Sequence, residues 1–88
     1  MPIQLQAVSV PGCVDCARFL KLWHEKLGKE FPAIALEEIS ALTPEGQEMV
    51  AQYGIMASPG IVINGELFSV GAVHESALRE KLKSLGAP

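Results

Sequence analysis

Cysteine is scarce in this 88-residue chain, which has two. A zinc ribbon needs four thiolates, so none can form within one chain. Positive charge is short as well: seven Lys and Arg stand against ten Asp and Glu, and the net charge of −3 supplies no basic field for nucleic acid. No apolar run approaches the roughly 18 residues of a membrane span. The first residues, Met1-Pro2-Ile3-Gln4, carry neither a basic segment nor a signal-type apolar stretch. The expectation is therefore a mature, cytoplasmic protein that meets neither membrane nor nucleic acid. A reducing compartment argues against a static structural disulfide and for a catalytic or metal-binding pair. The length allows one domain, residues 1–88, and an apolar content of 49% is enough to fill its core. No linker, repeat or low-complexity segment interrupts it.

What the chain does have is Cys13-Val14-Asp15-Cys16, placed between a strand-like run and a helical pattern. Two thiols at this spacing on a helix start lie close enough to close a disulfide within the first turn. Such a pair can cycle between dithiol and disulfide with one sulfur open to attack partners. The helix N-terminus adds unpaired N–H groups and the positive end of the dipole, both of which favour a thiolate. Asp15, in the same turn, is favoured there as a helix-start acid, but its charge lies near Cys13 and opposes that thiolate. The expected Cys13 pKa is below that of a free thiol without being extreme.

Around this motif the periodicity changes several times. Ile3 to Val10 alternates as a strand, and Pro11-Gly12 breaks it. Cys16, Leu20, Trp23 and Leu27 form one helical stripe, with Gly28 as the predicted stop. A second strand fits Ile34 to Ile39. Thr43-Pro44-Glu45 is a strong helix start, and that helix should end at Gly54. Ile61-Val62-Ile63 and Glu66 to Val70 flank Asn64-Gly65, a hairpin signal. Leu78, Leu82 and Leu85 mark a last helix closed by Gly86. The order β-α-β-α-β-β-α predicts an α/β fold: a mixed four-stranded sheet with helices on both faces, its first crossover right-handed. In such a sheet the reactive site lies beyond the carboxyl end of a strand, where Cys13 falls.

With C-x-x-C in the first strand–helix turn and Tyr53-Gly54-Ile55-Met56-Ala57-Ser58-Pro59-Gly60-Ile61-Val62-Ile63-Asn64-Gly65-Glu66 further on, the whole chain resembles the thioredoxin/glutaredoxin superfamily in its minimal form. Within it, the likeness is to the small "redox-active disulfide" thioredoxin-like proteins of bacteria and archaea. The resemblance implies that Cys13 is the exposed nucleophile and Cys16 the buried resolving thiol. It makes Pro59 the counterpart of the family's cis-proline, and it makes the Ser58 backbone the group offered to an extended substrate segment. A proline is the residue at which a cis bond is cheap.

The departures from the family are specific. Gly12 stands where thioredoxins proper have tryptophan, and Val14-Asp15 replaces their Gly-Pro. Ala7 occupies the position of their buried acid. Ala57-Ser58-Pro59 and Gly71-Ala72-Val73-His74-Glu75 differ from the glutaredoxin patterns, which argues against glutathione as the dedicated partner. Other reactive side chains read as structural: Trp23, Met49 and Met56 as core or core edge, Met56 near the substrate groove; His24 and His74 as surface or capping groups; Lys21, Lys26 and Lys29 as a solvated face.

The function expected is thiol–disulfide exchange, with catalytic Cys13 and Cys16, substrate-binding Ser58 and Pro59, and Asp15 tuning the pKa. The partners are a disulfide-containing protein and an upstream reductase or low-molecular-weight thiol. No bound cofactor or metal is required for this. The alternative is a binding module that holds or passes a metal or iron–sulfur cluster on the same cysteine pair.

Overall fold

The computed structural model describes residues 3–86; Met1, Pro2, Ala87 and Pro88, and with them part of the N-terminal leader reading, lie outside. The chain runs β1 (Leu5–Ser9), α1 (Val14–Leu22), a π-turn (Trp23–Leu27), α2 (Gly28–Glu30), β2 (Leu36–Ser40), α3 (Pro44–Tyr53), β3 (Gly60–Ile63), β4 (Glu66–Val70) and α4 (Glu75–Ser84). The sheet order is β2-β1-β3-β4, with β1 parallel to β2 and the other pairs antiparallel. Period-two side-chain alternation divides the two central strands between two cores. Leu5 and Ala7 of β1 and Ile61 and Ile63 of β3 join Phe19, Trp23, Leu27, Leu78 and Leu82 on one face. Val8 and Val62 point the other way, to Met49, Ile55 and Ile39. Helices therefore cover both faces, in the expected β-α-β-α-β-β-α order.

The hairpin turn is built as its sequence demands: Asn64 and Gly65 both have positive φ, 51° and 79°. The Asn64 side chain also accepts from the Gln4 N–H at 2.8 Å, tying the turn to the start of β1. Thr43 caps α3 by accepting from the Gly46 N–H at 3.0 Å, and Gly54 ends it.

Gly28 corrects the expected helix end. It is not a stop but a helical residue, φ −62° and ψ −28°, and the chain stays helical to Glu30. The glycine is required by proximity: a Cβ there would lie 2.7 Å from the Trp23 carbonyl oxygen and 3.1 Å from the indole nitrogen. The buried stripe runs through Cys16, Phe19, Trp23 and Leu27, with Leu20 only half-buried, because Phe19 rather than Leu20 faces the sheet. The strand predicted from Ile34 begins at Leu36, since Phe31 and Ile34 close a turn (Ile34 N–H to Phe31 O, 3.0 Å) that sends both side chains into the core. Leu85 lies beyond α4 and is exposed. Trp23 and Met49 are core, as expected, but Met56 is 92% exposed.

Candidate active site

Leaving the sheet, β1 hands the chain to Pro11-Gly12, and Gly12 takes φ 77°, which swings Cys13 into the N-cap of α1. Its backbone is extended, and its sulfur accepts a hydrogen bond from the Cys16 N–H at 3.1 Å, as an oxygen would in an ordinary cap. Cys16, one turn on, is 5% exposed and belongs to the buried stripe of α1, whereas Cys13 is only half-buried. Both are free thiols in this structure.

The second wall of the site comes from the loop before β3. The Ser58–Pro59 peptide bond is cis. Ser58 places two groups against Cys13 Sγ: its hydroxyl oxygen at 3.4 Å and its carbonyl oxygen at 3.6 Å. Cys13 is thus held below the ordinary thiol range, first by the hydrogen bond from the Cys16 thiol and then by the Ser58 hydroxyl, with the N–H groups of Cys16 and Asp15 adding and partial burial opposing. Cys16 is pushed up, mainly by burial and next by the proton it shares with Cys13. The pair is an acidic, accessible sulfur next to a basic, hidden one.

Asp15 lies beside the pair, its carboxylate 3.7 Å from the Arg18 guanidinium. Along the far side of Ser58 runs an open groove of about 340 Å³, walled by Val8, Val10, Val50, Ile55, Met56 and Ala57. Its apolar lining reaches the reacting sulfur through Ser58. Nothing local in the sequence marks this groove, since its walls come from four separate segments: β1, Ala41 after β2, α3 and the loop before β3.

Over residues 3–83, nearly its whole described length, the sequence matches the family described as thioredoxin domain. The chain belongs to the thioredoxin family. It is 31% identical over 81 residues to a thioredoxin of Methanocaldococcus jannaschii, covering 92% of this chain and 93% of that protein. Among solved structures, an uncharacterised thioredoxin-like protein of Clostridium perfringens superposes with a TM-score of 0.72 at 15% identity, covering 97% of this chain and 71% of the other. Fasciola hepatica thioredoxin superposes with a TM-score of 0.67 at 22% identity, covering 94% and 80%. At these identities the superpositions speak for the fold. Thioredoxins are a family of thiol–disulfide oxidoreductases, and the C-x-x-C pair of this member sits at the carboxyl end of β1 opposite a cis-proline.

The remaining reactive side chains of this thioredoxin-family chain stand away from the pair. His24 Nε2 lies 3.7 Å from Glu38, and His74 occupies the N-cap of α4 without a side-chain cap bond. Lys26 stays on the solvated face, as expected, and pairs there with Glu75 at 2.8 Å. Among the described residues no three His, Cys, Asp or Glu side chains gather around one point. A metal held by Cys13 and Cys16 would draw its other ligands from a second molecule. No helix among the described residues is long and apolar enough to cross a membrane.

Proposed function

We propose that this chain, as one thioredoxin-like domain, reduces protein disulfides through a Cys13/Cys16 dithiol–disulfide cycle. The observation that carries the reading is the placement of the two thiols: Cys13 half-buried at the N-cap of α1, accepting from the Cys16 N–H and facing Ser58 beside the cis Pro59, with Cys16 one turn on and 5% exposed, a setting that lowers the first thiol and raises the second. Cys13 loses its proton to solvent, and its thiolate attacks one sulfur of the substrate disulfide. That S–S bond breaks, the distal sulfur leaves as a thiolate and is protonated, and a mixed disulfide to Cys13 forms. Once Cys13 is no longer a thiolate, the hydrogen bond that helped hold the proton on Cys16 is gone. Cys16 then ionises and attacks Cys13 Sγ. The second substrate thiol leaves, and the Cys13–Cys16 disulfide remains. Two electrons and two protons have passed to the substrate, and an upstream reductase or low-molecular-weight thiol returns them.

Ser58 and Pro59 form the docking edge, where an extended substrate segment pairs with the Ser58 backbone as an added strand. Asp15 restrains the thiolate through its carboxylate, with Arg18 partly offsetting that charge. No bound cofactor enters the cycle, and the setting is cytoplasmic. The test is a Cys16→Ser variant, which cannot resolve the mixed disulfide. It should capture a disulfide-containing protein on Cys13, released by dithiothreitol, while the wild-type chain turns over a protein disulfide with the same reductant. A wild-type chain without turnover that instead purifies with stoichiometric metal or a coloured cluster would favour the binding-module reading.

A further inference from the structure

We propose that Met56 is a site of reversible oxidation: a hydroperoxide turns its thioether into the sulfoxide, which bars protein substrates from the rim of the site and leaves the Cys13/Cys16 pair intact. The modification itself stands apart from the redox reading above; its effect on turnover rests on that reading.

The exposure of Met56 is set by the loop between α3 and β3. Ile55 is buried with Val8, Ile39, Met49 and Val62. It lies so close over Gly60 that a Cβ there would meet Ile55 Cδ1 at 2.7 Å. Pro59 is buried at the other end of the loop. With both ends pinned inward, the side chain after Ile55 is turned out, and Met56 is 92% exposed. Met49, on α3, is 8% exposed and packs in that same core. Two thioethers of one chemistry thus meet solvent very differently. A sulfur is oxidised where the oxidant can reach it, so Met56 is the open one of the two.

The two cysteines decide when Met56 is reached. In the reduced chain the Cys13 thiolate is the stronger nucleophile, and it attacks the hydroperoxide first. The O–O bond breaks, an alcohol or water leaves, and Cys13 becomes a sulfenic acid. Cys16 then attacks that sulfur, hydroxide leaves, and the pair is a disulfide that a reductant restores. The chain holds no third thiol to reduce an oxidised Met56. Its thioether takes one oxygen atom from the hydroperoxide, the alcohol or water leaves, and a polar sulfoxide replaces an apolar sulfur. Met56 walls the groove that runs to Ser58, whose hydroxyl oxygen is 3.4 Å from Cys13 Sγ. The new polarity therefore falls on the surface that a protein substrate must cover. The chain meets an oxidant in two steps: it first cycles its cysteines and, when these stay oxidised, closes itself to protein disulfides.

The test treats the disulfide form, in which both cysteines are protected, with graded hydrogen peroxide and maps the added oxygen by mass spectrometry. Met56 should gain it roughly tenfold faster than Met49, in line with exposures of 92% and 8%. In urea, where both are open, the two rates should converge. Dithiothreitol then restores the thiols and leaves the sulfoxide. The treated chain should reduce a protein disulfide roughly five- to tenfold more slowly, the loss of about half of one methionine's apolar contact. It should reduce a small aromatic disulfide at the untreated rate. A pair of methionine sulfoxide reductases, one for each epimer, should restore the protein rate. Met56→Leu, which has no thioether there, should keep whatever rate it starts with through the same treatment. An untreated chain that reduces neither disulfide overturns the redox reading, and the oxygen map still decides the modification. Met56 oxidised no faster than Met49, or a Met56 sulfoxide that leaves the protein rate unchanged or slows both substrates alike, overturns the proposal.

Discussion

Cys13 and Cys16 are one helical turn apart and shift in opposite directions, and the difference lies in what each sulfur can reach. Cys13 meets donors from a helix start and from Ser58, while Cys16 meets the apolar stripe of α1. A brief iodoacetamide pulse near neutral pH on the reduced chain should therefore label Cys13 well before Cys16, read by mass mapping. Equal labelling, or faster labelling of Cys16, contradicts the assignment of roles. Asp15→Asn should lower the Cys13 pKa and speed the same labelling, since it removes a nearby negative charge with little change of shape. The change should be less than about threefold, because Arg18 and solvent already screen that carboxylate. A slower reaction in this variant would show that Asp15 helps the thiolate. The cysteine pair was legible in the sequence from its spacing at a helix start, and Ser58-Pro59 only through the resemblance to the thioredoxin/glutaredoxin superfamily. The contact of the Ser58 hydroxyl with Cys13 was not, since the two lie 45 residues apart.

At the scale of elements, the long first helix is joined to α4 by charges rather than by a shared loop. Arg79 of α4 donates to Glu30 at the end of α2 through two nitrogens, at 3.1 and 2.7 Å, and to Glu75 at 2.8 Å. Lys26, on the π-turn, completes the group by meeting Glu75. Glu30 is held below the ordinary carboxylate range chiefly by its hydrogen bond from Arg79, and Glu75 by those from Lys26 and Arg79. Lowered folded-state values mean a contribution to stability that is complete above the ordinary Glu pKa and lost as pH falls through the folded ones. Arg79→Met should thus lower the urea midpoint at pH 7, and the gap to wild type should shrink as pH falls below the ordinary Glu range and close once both lowered carboxylates have taken up protons. Added salt should narrow the same gap at pH 7. A gap that persists undiminished in acid would mean that Arg79 acts through the packing of its stem. None of this network was visible beforehand, because it depends on how far the first helix extends. Gly28 read as a stop by propensity, but the close approach of Trp23 keeps the helix running, and that carries Glu30 to Arg79. Where a residue's local preference and its tertiary role agreed, as at Thr43-Pro44 and Asn64-Gly65, the elements began and turned as expected.

Across the whole molecule, topology gathers function at one end of the sheet. β1 and β2 are parallel and β3 runs against them, so the residues after β1, after β2 and before β3 all emerge together. Val14, Leu42 and Met56, three large apolar side chains left 64%, 65% and 92% exposed, come from those three places. The opposite end carries the polar Asn64-Gly65 turn. An apolar rim around an acidic sulfur suits a protein surface better than a small hydrophilic thiol. Met56 is the most exposed of the three and also walls the groove that ends at Ser58. Met56→Asn should therefore slow dithiothreitol-driven reduction of a protein disulfide, by roughly five- to tenfold if about half of the side chain's apolar surface is covered on docking. Reduction of a small aromatic disulfide by the same variant should be unchanged, because that reaction needs the sulfur and not the rim. The Cys13 alkylation profile should also be unchanged, as Met56 makes no contact with Sγ. Equal losses on both substrates would place the defect at the cysteines, and undiminished turnover of the protein substrate would remove Met56 from the docking surface.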